Sequence, residues 1–420
     1  MLLNAPLATA AAALAGTPLP DPEIGGLPSL PRILSALRKH LGMDVAFVSE
    51  IVEGRRYFRH VDAADGETSV QTEFSDLAED SYCLRVIDGR LPELMVDACL
   101  NVEALTLAAT RILPVGAHMS VPIRLAGGHV YGTFCCFSHA PNASLTDRDL
   151  SVMRVFAEMV AEHVQEESSR RDARRAVEAR IDAVLQADGL RMVFQPIVEV
   201  ATNRVVAFES LARFASDPYR TPDIWFEEAA LVGRGIELEV KAIRMALAAL
   251  VHLPDEIYLT VNVSPETLVK GAFAEVLAGF PLDRIVVEVT EHQAIERYEE
   301  LADVIEPLQA QGLRIAIDDA GAGYASFRHI LNLHPHIVKL DISITRSIDT
   351  DRSRRALAAA LCGFAIETGC RIVAEGVETE AELQVIRALG VGKAQGYYLG
   401  RPMSLEQAKE SLMQASTAQD

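Results

Sequence analysis

Short apolar segments alternate with amphipathic helical segments from Leu190 almost to the end of the chain. This alternation predicts parallel strands joined by crossover helices. The predicted strands span residues 192–198, 205–211, 257–263, 285–289, 313–317, 337–340, 371–374 and 394–399. Eight strands in about 230 residues match an α/β fold, a (β/α)8 barrel of the TIM type.

The first two predicted strands are separated only by a turn around Thr202 and Asn203. A parallel connection needs a dozen or more residues, so these two strands should be antiparallel. We therefore expect an irregular barrel with an antiparallel strand near its start.

The chain before the barrel shows a different, mixed pattern. A helical segment at 32–41, a strand-like segment at 45–52 and an apolar run at 118–137 predict one compact α+β domain. Residues 1–29 begin with an Ala-rich run that lacks the basic residues of a signal peptide, and then become rich in Pro and Gly. They are predicted to be a disordered tail or linker.

Residues 151–186 contain no Gly or Pro, and their apolar residues recur at helical spacing. The middle of this segment is almost wholly charged or polar, which fits either a solvated connector or a helix that pairs with a second chain through a narrow seam. The predicted divisions are a tail at 1–29, a domain at 30–165, a connecting helix at 166–189, the barrel at 190–412 and a tail at 413–420.

The formal net charge of −20 over 420 residues argues against broad binding to nucleic acid polymers or to anionic membranes. Charged residues interrupt the apolar stretches before they reach the roughly 18 residues of a membrane span. The six cysteines form no CxxC pair, which favours reduced thiols. We expect a soluble cytoplasmic protein in which a small anionic ligand needs a local cation.

Polar residues are predicted to end successive barrel strands, where such barrels build their active sites. They are Glu209, Asn262, Glu288, Asp318 with Asp319, Lys339 with Asp341, and Glu375. A single acid would usually be a surface cap or half of an ion pair. Repetition at successive strand ends favours function instead. Carboxylates this close repel one another unless a positive group lies between them, and Mg²⁺ or Mn²⁺ suits such oxygen ligands.

Eight sequence blocks then occur in an order that resembles a known family. They are FQPIV at 194–198, ESLAR at 209–213, NVSPETL at 262–268, EVTE at 288–291, IDDAGAGYASF at 317–327, VKLD at 338–341, AEGVET at 374–379 and QGYYLGRP at 395–402. Residues 190–412 resemble an EAL domain, the phosphodiesterase that opens cyclic di-GMP to linear pGpG.

The resemblance implies roles for individual residues. Glu209, Asn262, Glu288 and Asp318 would bind a first Mg²⁺ or Mn²⁺ ion, and Asp319 would help to hold a second. Lys339 would orient the attacking water or the phosphate, and Glu375 would be the general base. Arg213, Glu378 and Gln395 would contact the substrate, with Glu291 and Asp341 in support.

Four residues, in two of the blocks, depart from the family pattern. Ser210 stands where the family usually has Ala, and Ala320, Ala322 and Ala325 replace Phe, Thr and Ser in the loop after Asp319. The loop changes predict slow turnover and altered coupling to dimerisation. They also leave open a receptor that binds cyclic di-GMP without hydrolysing it. A barrel enzyme with an enolate-type metal site is a third, less favoured interpretation.

The first domain resembles a GAF domain, a small-ligand sensing module, through MSVPI at 119–123, GGHVYGTFCCF at 127–137 and the helix that follows Thr146. The resemblance implies an unidentified small ligand, control of the barrel through the connecting helix, and a homodimer. His118, Cys135 and Cys136 could suggest haem or thiol redox sensing, but a strand cysteine in a core is more often a small hydrophobic residue.

Overall fold

The computed structural model describes residues 30–186, 189–216, 219–270, 272–289, 298–320 and 330–417. The chain forms two compact units, and the boundary between them falls at residues 173 and 174. The predicted tail at 1–29 and most of the altered loop, residues 321–326, lie outside the described residues. No described helix combines the length and the apolar character that a membrane span requires.

The first unit contains a six-stranded antiparallel sheet in the order β3-β2-β1-β6-β5-β4. Its strands are β1 Val45–Val52, β2 Arg55–Ala63, β3 Ser75–Leu77, β4 Leu94–Met95, β5 Ala117–Arg124 and β6 Val130–Ser138. The apolar run predicted at 118–137 is therefore a hairpin. Its turn holds Gly127 and Gly128 at φ of 86° and 83°, a conformation that glycine adopts readily.

Helices cover both faces of this sheet, so the unit is α+β as predicted. They are α1 Leu30–Leu41, α2 Tyr82–Ile87, α3 Val102–Thr106, α4 Ala108–Ile112 and α5 Asp147–Gln186. Successive side chains of a strand point to opposite faces. Accordingly Ala46 and Val48 of β1 join one buried cluster, which includes residues of α1, while Val45 and Phe47 join another, which includes residues of α2.

Helix α5 is 40 residues long and includes most of the connecting helix predicted at 166–189. All side chains from 169 to 176 are exposed in the single chain. Ion pairs one helical turn apart, such as Arg174 Nε to Glu178 Oε1 at 3.0 Å, support the helix through this stretch.

The second unit is a closed eight-stranded barrel, which confirms the predicted fold. Its strands are β7 Leu190–Glu199, β8 Arg204–Phe214, β9 Tyr258–Val263, β10 Ile285–Val289, β11 Arg314–Ala320, β12 Ile337–Leu340, β13 Arg371–Ala374 and β14 Lys393–Ala394. β7 is antiparallel to both of its neighbours, β8 and β14, and the other pairs are parallel.

Helices follow the strands around the barrel. They are α6 Pro222–Leu231, α7 Gly235–Leu247, α8 Pro265–Val269, α9 Ala272–Leu277, α10 Tyr298–Ala310, α11 Ile342–Thr345, α12 Arg352–Thr368, α13 Glu380–Ala388 and α14 Leu405–Thr417. The last helix continues into the segment predicted as a tail at 413–420.

Two strand predictions need correction. Glu209 does not end β8 but lies in its middle, because the hairpin with β7 extends the pairing as far as Leu190 and Phe214. β14 has two residues instead of the six predicted at 394–399. A Cβ added at Gly396 would lie 2.1 Å from the Val377 carbonyl oxygen, so the chain passes too close to its neighbour there to continue as an ordinary strand.

The barrel interior is built in layers, as in other barrels of this type. One buried apolar cluster takes a residue from seven strands, namely Ile197, Ala207, Tyr258, Val286, Ala316, Ile337 and Val373. Lys393 Nζ donates a hydrogen bond of 2.9 Å to the hydroxyl of Tyr258, a member of this cluster, and the Arg314 guanidinium lies 4.3 Å from the centre of the same ring. The polar layer described next lies above this apolar layer.

Candidate active site

The polar layer follows from the two-residue period of the strands. Two residues beyond the apolar layer, toward the carboxyl ends of the parallel strands, come Glu209, Thr260, Glu288, Asp318, Lys339 and Glu375. The reversed strand β7 contributes the residue two positions earlier, Gln195. The register confirms part of this level, since Gln195 is opposite Glu209 and Glu209 is opposite Thr260.

The Lys339 ammonium lies among four carboxylates. Its Nζ is 2.6 Å from Glu375 Oε1 and 2.8 Å from Glu288 Oε2. Asp318 Oδ1 is 3.0 Å away and Glu209 Oε1 is 3.6 Å away. The positive group that the sequence required between the acids is therefore present in the chain itself, although one ammonium offsets only one of the four charges.

Burial and charge shift the pKa values of this layer. Burial raises the pKa of Glu375 to about 8, and the Lys339 charge only partly opposes it. Burial likewise raises the pKa of Glu288 well above its usual range. Burial alone would lower the pKa of Lys339, but the surrounding carboxylates hold it well above its usual range. Close carboxylates in this buried layer therefore tend to bind protons, and divalent cations would compete with those protons for the same oxygens.

A row of amides connects this layer to the loop after β14. Gln395 Nε2 donates hydrogen bonds to Glu209 Oε2 and to Gln195 Oε1, and Gln195 Nε2 donates to the Gly400 carbonyl at 3.2 Å. Gln395 Oε1 is buried and has no hydrogen-bond partner within the described part of the chain. The row of amides therefore places Gln395 Oε1, an oxygen that could still accept a hydrogen bond or bind a cation, beside the carboxylates.

A cavity of about 380 Å³ opens over the polar layer. Glu209, Asp318, Glu375 and Gln395 line it, together with the predicted residues Asp341 and Glu378. The Asp341 carboxylate accepts a hydrogen bond of 2.9 Å from the Ser343 amide and so caps α11. Glu378 Oε2 is 2.6 Å from Arg346 Nη2.

Asn262 and Arg213 line a neighbouring cavity of about 650 Å³. Asn262 is paired with Glu288 in the register of β9 and β10 and lies two residues beyond Thr260 on the same strand. Two residues later, Ser264 caps α8, and the Glu239 carboxylate accepts hydrogen bonds from the Ser264 amide at 2.6 Å and from its hydroxyl at 2.7 Å. Glu239 therefore fixes the segment that follows Asn262.

Three residues of the site region were not identified as such from the sequence. Gln195 belongs to the FQPIV block, but its inward direction depends on the reversal of β7. Thr260 lies two residues before Asn262, a spacing that could have identified it; its hydroxyl is buried and has no partner among the described residues. Glu239 lies on α7, far from any strand end, and no sequence signal indicated it.

The donor set suits hard divalent cations, because it consists of carboxylate oxygens and amide oxygens. Within the described residues no three His, Cys, Asp or Glu side chains are already arranged around a common metal position. Lys339 occupies the centre of the four acids instead. The Asp319 side chain and Glu291, both predicted for the site, lie outside the described residues.

Comparison with known proteins agrees with this geometry. The EAL domain family model matches residues 157–402, and the GAF domain model matches residues 28–164. Cyclic di-GMP phosphodiesterase PA2567 of Pseudomonas aeruginosa is 28% identical over 251 residues, which cover 55% of this chain and 41% of that protein. Cyclic di-GMP phosphodiesterase PdeF of Escherichia coli is 27% identical over 238 residues, which cover 54% and 32%.

A solved structure, the PaMucR phosphodiesterase in a c-di-GMP complex, superposes with a TM-score of 0.51 at 25% identity and covers 56% of this chain and 99% of that one. The chain spans less than half the length of the two curated relatives. The family match extends over more than half of the chain and coincides with the closed barrel and its polar layer. The chain therefore belongs to the EAL domain family and carries a GAF domain before its EAL domain.

Proposed function

We propose that the EAL domain hydrolyses cyclic di-GMP to linear pGpG with water and two divalent metal ions. The observation that carries the proposal is the contact of Lys339 with four buried or partly buried carboxylates at the mouth of the barrel. Relatives of this family that are named cyclic di-GMP phosphodiesterases support the choice of substrate.

Glu209, Asn262, Glu288 and Asp318 would hold the first Mg²⁺ or Mn²⁺ ion, and Asp319 would help to hold the second. When bound, such a pair of ions lowers the pKa of a water molecule and offsets charge on the phosphoryl group in the transition state. The excess of carboxylates over ammonium in the polar layer supports this assignment. Gln395 Oε1, which has no hydrogen-bond partner in the described part of the chain, adds an oxygen beside Glu209.

The chain's own side chains position and deprotonate the reacting groups. Glu375 is the proposed general base, and its carboxylate takes a proton from the attacking water. The ion pair with Lys339 Nζ at 2.6 Å fixes where that carboxylate points. Lys339 is held in turn by Glu288 and Asp318, so it can orient the water or a phosphate oxygen without moving.

The substrate carries two negative charges, and the chain is acidic. Lys339 and Arg213, with the metal ions, would supply the local positive charge that binds it. Glu378 and Gln395 are proposed to support the site and to contact the guanine-nucleotide substrate. Glu378 is oriented by Arg346, and Gln395 by Glu209 and Gln195.

The regulatory part of the proposal concerns the first unit and α5. The GAF domain would bind an unidentified small ligand and change EAL activity through the helix, within a cytoplasmic homodimer. The unbroken helix from Asp147 to Gln186, with its exposed middle, supports this route because it links both domains without a flexible break.

Separation of nucleotides after incubation with cyclic di-GMP tests the proposal. Purified protein with Mg²⁺ or Mn²⁺ should convert the substrate to pGpG, and a chelator should stop the conversion. Binding of cyclic di-GMP without product, under both metals, would favour the receptor that the substitutions in the loop at 320–325 left open. Absence of both binding and product would contradict the enzyme and the receptor alike.

A further inference from the structure

Two cysteine sulfur atoms of the GAF domain face each other in its interior. Cys83 lies on α2 and Cys135 on β6, and their Sγ atoms are 3.4 Å apart. Both side chains are completely buried. All six cysteines of the chain are free thiols in this structure. No other pair of cysteine sulfurs in the described residues makes such a contact.

A buried cation lies against one of the two sulfurs. Arg56 Nη1 is 3.2 Å from Cys83 Sγ, while Arg56 Nε donates a hydrogen bond of 2.9 Å to Asp76 Oδ1. The Phe58 ring packs on the guanidinium at 4.5 Å, so the arginine is held from three sides. A cation in this position stabilises the thiolate of Cys83 over its thiol.

The second sulfur has a different environment. Cys135 Sγ lies 2.9 Å from the Ser120 hydroxyl and 3.0 Å from the Thr133 hydroxyl. Burial and the neighbouring Cys83 raise the pKa of Cys135 well above its usual range, whereas contacts with Cys135 and Arg56 lower that of Cys83 to about 5 despite its burial. The two environments therefore favour a thiolate at Cys83, beside Arg56, and a thiol at Cys135.

We propose that Cys83 and Cys135 are a peroxide-oxidisable dithiol, in which Cys83 is the attacking thiolate and Cys135 the resolving thiol. This assignment replaces the expectation that Cys135 is only a small core residue. It is independent of the activity proposed for the EAL domain.

The oxidation balances with a hydroperoxide as oxidant. The Cys83 thiolate attacks one peroxide oxygen, the O–O bond breaks, and the departing hydroxide or alkoxide takes a proton. The resulting sulfenic acid is attacked by Cys135 sulfur, which loses its proton to the hydroxide that leaves as water. The net change is two thiols and one hydroperoxide to one disulfide, one water and one alcohol, or two waters from hydrogen peroxide.

Bond formation has a structural consequence. The sulfurs must approach from 3.4 Å to about 2.05 Å, the length of a disulfide bond. β6 is a central strand of the sheet, whereas α2 is a helix of six residues. The approach therefore moves α2 toward the sheet. Because both sulfurs are buried, oxidation requires local opening of this part of the domain and should be slow.

The test is peptide mapping of the full-length protein after reduction, removal of the reductant, and treatment with hydrogen peroxide. Free thiols are alkylated under denaturing conditions before digestion. Wild-type protein should yield a cross-linked peptide pair containing Cys83 and Cys135, lighter than the two reduced peptides by two hydrogens. The pair should disappear when reductant is restored.

Three single variants give the controls. Cys83→Ser and Cys135→Ser should each abolish the cross-linked pair, and the Cys135→Ser protein should accumulate a Cys83 sulfenic acid that dimedone traps. Cys136→Ser is the matched control. Cys136 is equally buried one position along β6 but belongs to the cluster on the opposite face of the sheet, so its loss should leave the yield unchanged.

Cys99 is exposed, so its oxidation in the same sample shows that the peroxide treatment was effective. Oxidised Cys99 together with fully alkylated Cys83 and Cys135 in wild-type protein would overturn the proposal. So would a disulfide of either residue with a different cysteine. Both outcomes are read from wild-type protein and do not depend on whether a variant folds.

Discussion

Lys339 sets the charge balance at the mouth of the barrel. The carboxylates around it would repel one another in a buried layer, and each would lose much of its preference for the ionised form. Lys339 contacts all four carboxylates, so its charge favours their ionised forms and offsets part of their repulsion. One ammonium can balance only one ionised carboxylate, and divalent cations would offset more of the repulsion.

Replacing Glu375 by Gln should separate binding from chemistry. An amide keeps the shape of the side chain but cannot accept the proton of the attacking water. We expect pGpG formation to fall by about 10²–10⁴-fold, with cyclic di-GMP binding retained. Steady-state turnover and equilibrium binding measure the two effects. Glu367→Gln, on the exposed side of α12, is the matched control. Joint loss of binding and turnover would show that Glu375 is a ligand and not the base.

The contact between His139 and Glu67 predicts a local dependence of stability on pH. Their Nε2 and Oε2 atoms are 2.5 Å apart, and His139 Nδ1 lies 2.6 Å from the Leu113 carbonyl oxygen. Hydrogen bonds to Ser69 and His139 lower the pKa of Glu67 to about 2, and Glu67 raises the pKa of His139. Both groups are charged together in the folded domain.

The stabilising effect of Glu67 is full above about pH 4.5 and is lost as the pH falls toward 2. That of His139 is full below about pH 6.5 and is lost as the pH rises through its elevated folded pKa. Hydrogen-exchange protection of residues 64–74 should therefore be highest between these limits. His139→Gln should flatten the alkaline side of the profile. Identical profiles in both proteins would contradict the assignment.

Most site residues could be predicted because alternate residues of a barrel strand face the interior, and this two-residue period can be recognised in the sequence. Glu288, Asp318 and Lys339 were found in this way, and the structure brings them together. Gln195 was missed because the period alone does not show which way an antiparallel strand faces. Glu239 was missed because its role depends on a contact between α7 and the cap of α8, which only tertiary packing creates.

At the scale of elements, the strand ends were harder to predict than the strands. β8 extends beyond Glu209 because its hairpin partner supplies hydrogen bonds that no local propensity shows. β14 stops early because of the close approach at Gly396. In both cases the cause is a neighbouring segment and not the sequence of the strand itself.

The turn after β13 gives a prediction at this scale. Gly376 directly follows Glu375, has a φ of 62°, and leaves no room for a Cβ, which would lie 2.3 Å from Ile342 Cγ1. Gly376→Ala should therefore displace Glu375, the proposed general base, and reduce turnover by at least about tenfold, because a displacement of about 1 Å can cost 10²-fold. The measurement is turnover at saturating cyclic di-GMP.

Gly390→Ala is the control for this substitution. Gly390 also has a positive φ, 78°, but nothing lies within 4 Å of an added Cβ. Both variants carry the backbone cost of a side chain in the left-handed region. Equal turnover in the two variants would show that crowding against Ile342 does not affect Glu375.

At the scale of the whole molecule, the barrel interior holds basic and acidic groups in separate places. Arg314 and Lys393 lie against Tyr258 of the apolar layer, and the acidic layer lies two residues further toward the carboxyl ends of the parallel strands. The overall charge of −20 argues against polyanion binding in general but does not describe the site. Under the proposed function, Lys339 and bound cations would give an anionic dinucleotide a place to bind on an acidic chain.

Deletion of residues 1–165 tests whether the first unit controls the second. The second compact unit includes the whole barrel, so the truncated protein keeps the polar layer. If the GAF domain shifts the population of active arrangements, turnover per metal-loaded site should change on truncation. Turnover and oligomeric state are measured together. A truncated protein that differs in neither would show that α5 is a passive connector.

The central claim is that the acidic layer around Lys339 hydrolyses cyclic di-GMP, and Glu209→Ala tests it most directly. Glu209 lines the cavity, and its removal lowers the charge excess without emptying the apolar layer. Glu256→Ala, an exposed acid before β9, is measured in parallel. We predict that pGpG formation disappears in Glu209→Ala while the fold and the Glu256→Ala activity are retained. Near-normal turnover in a folded Glu209→Ala protein would contradict the account.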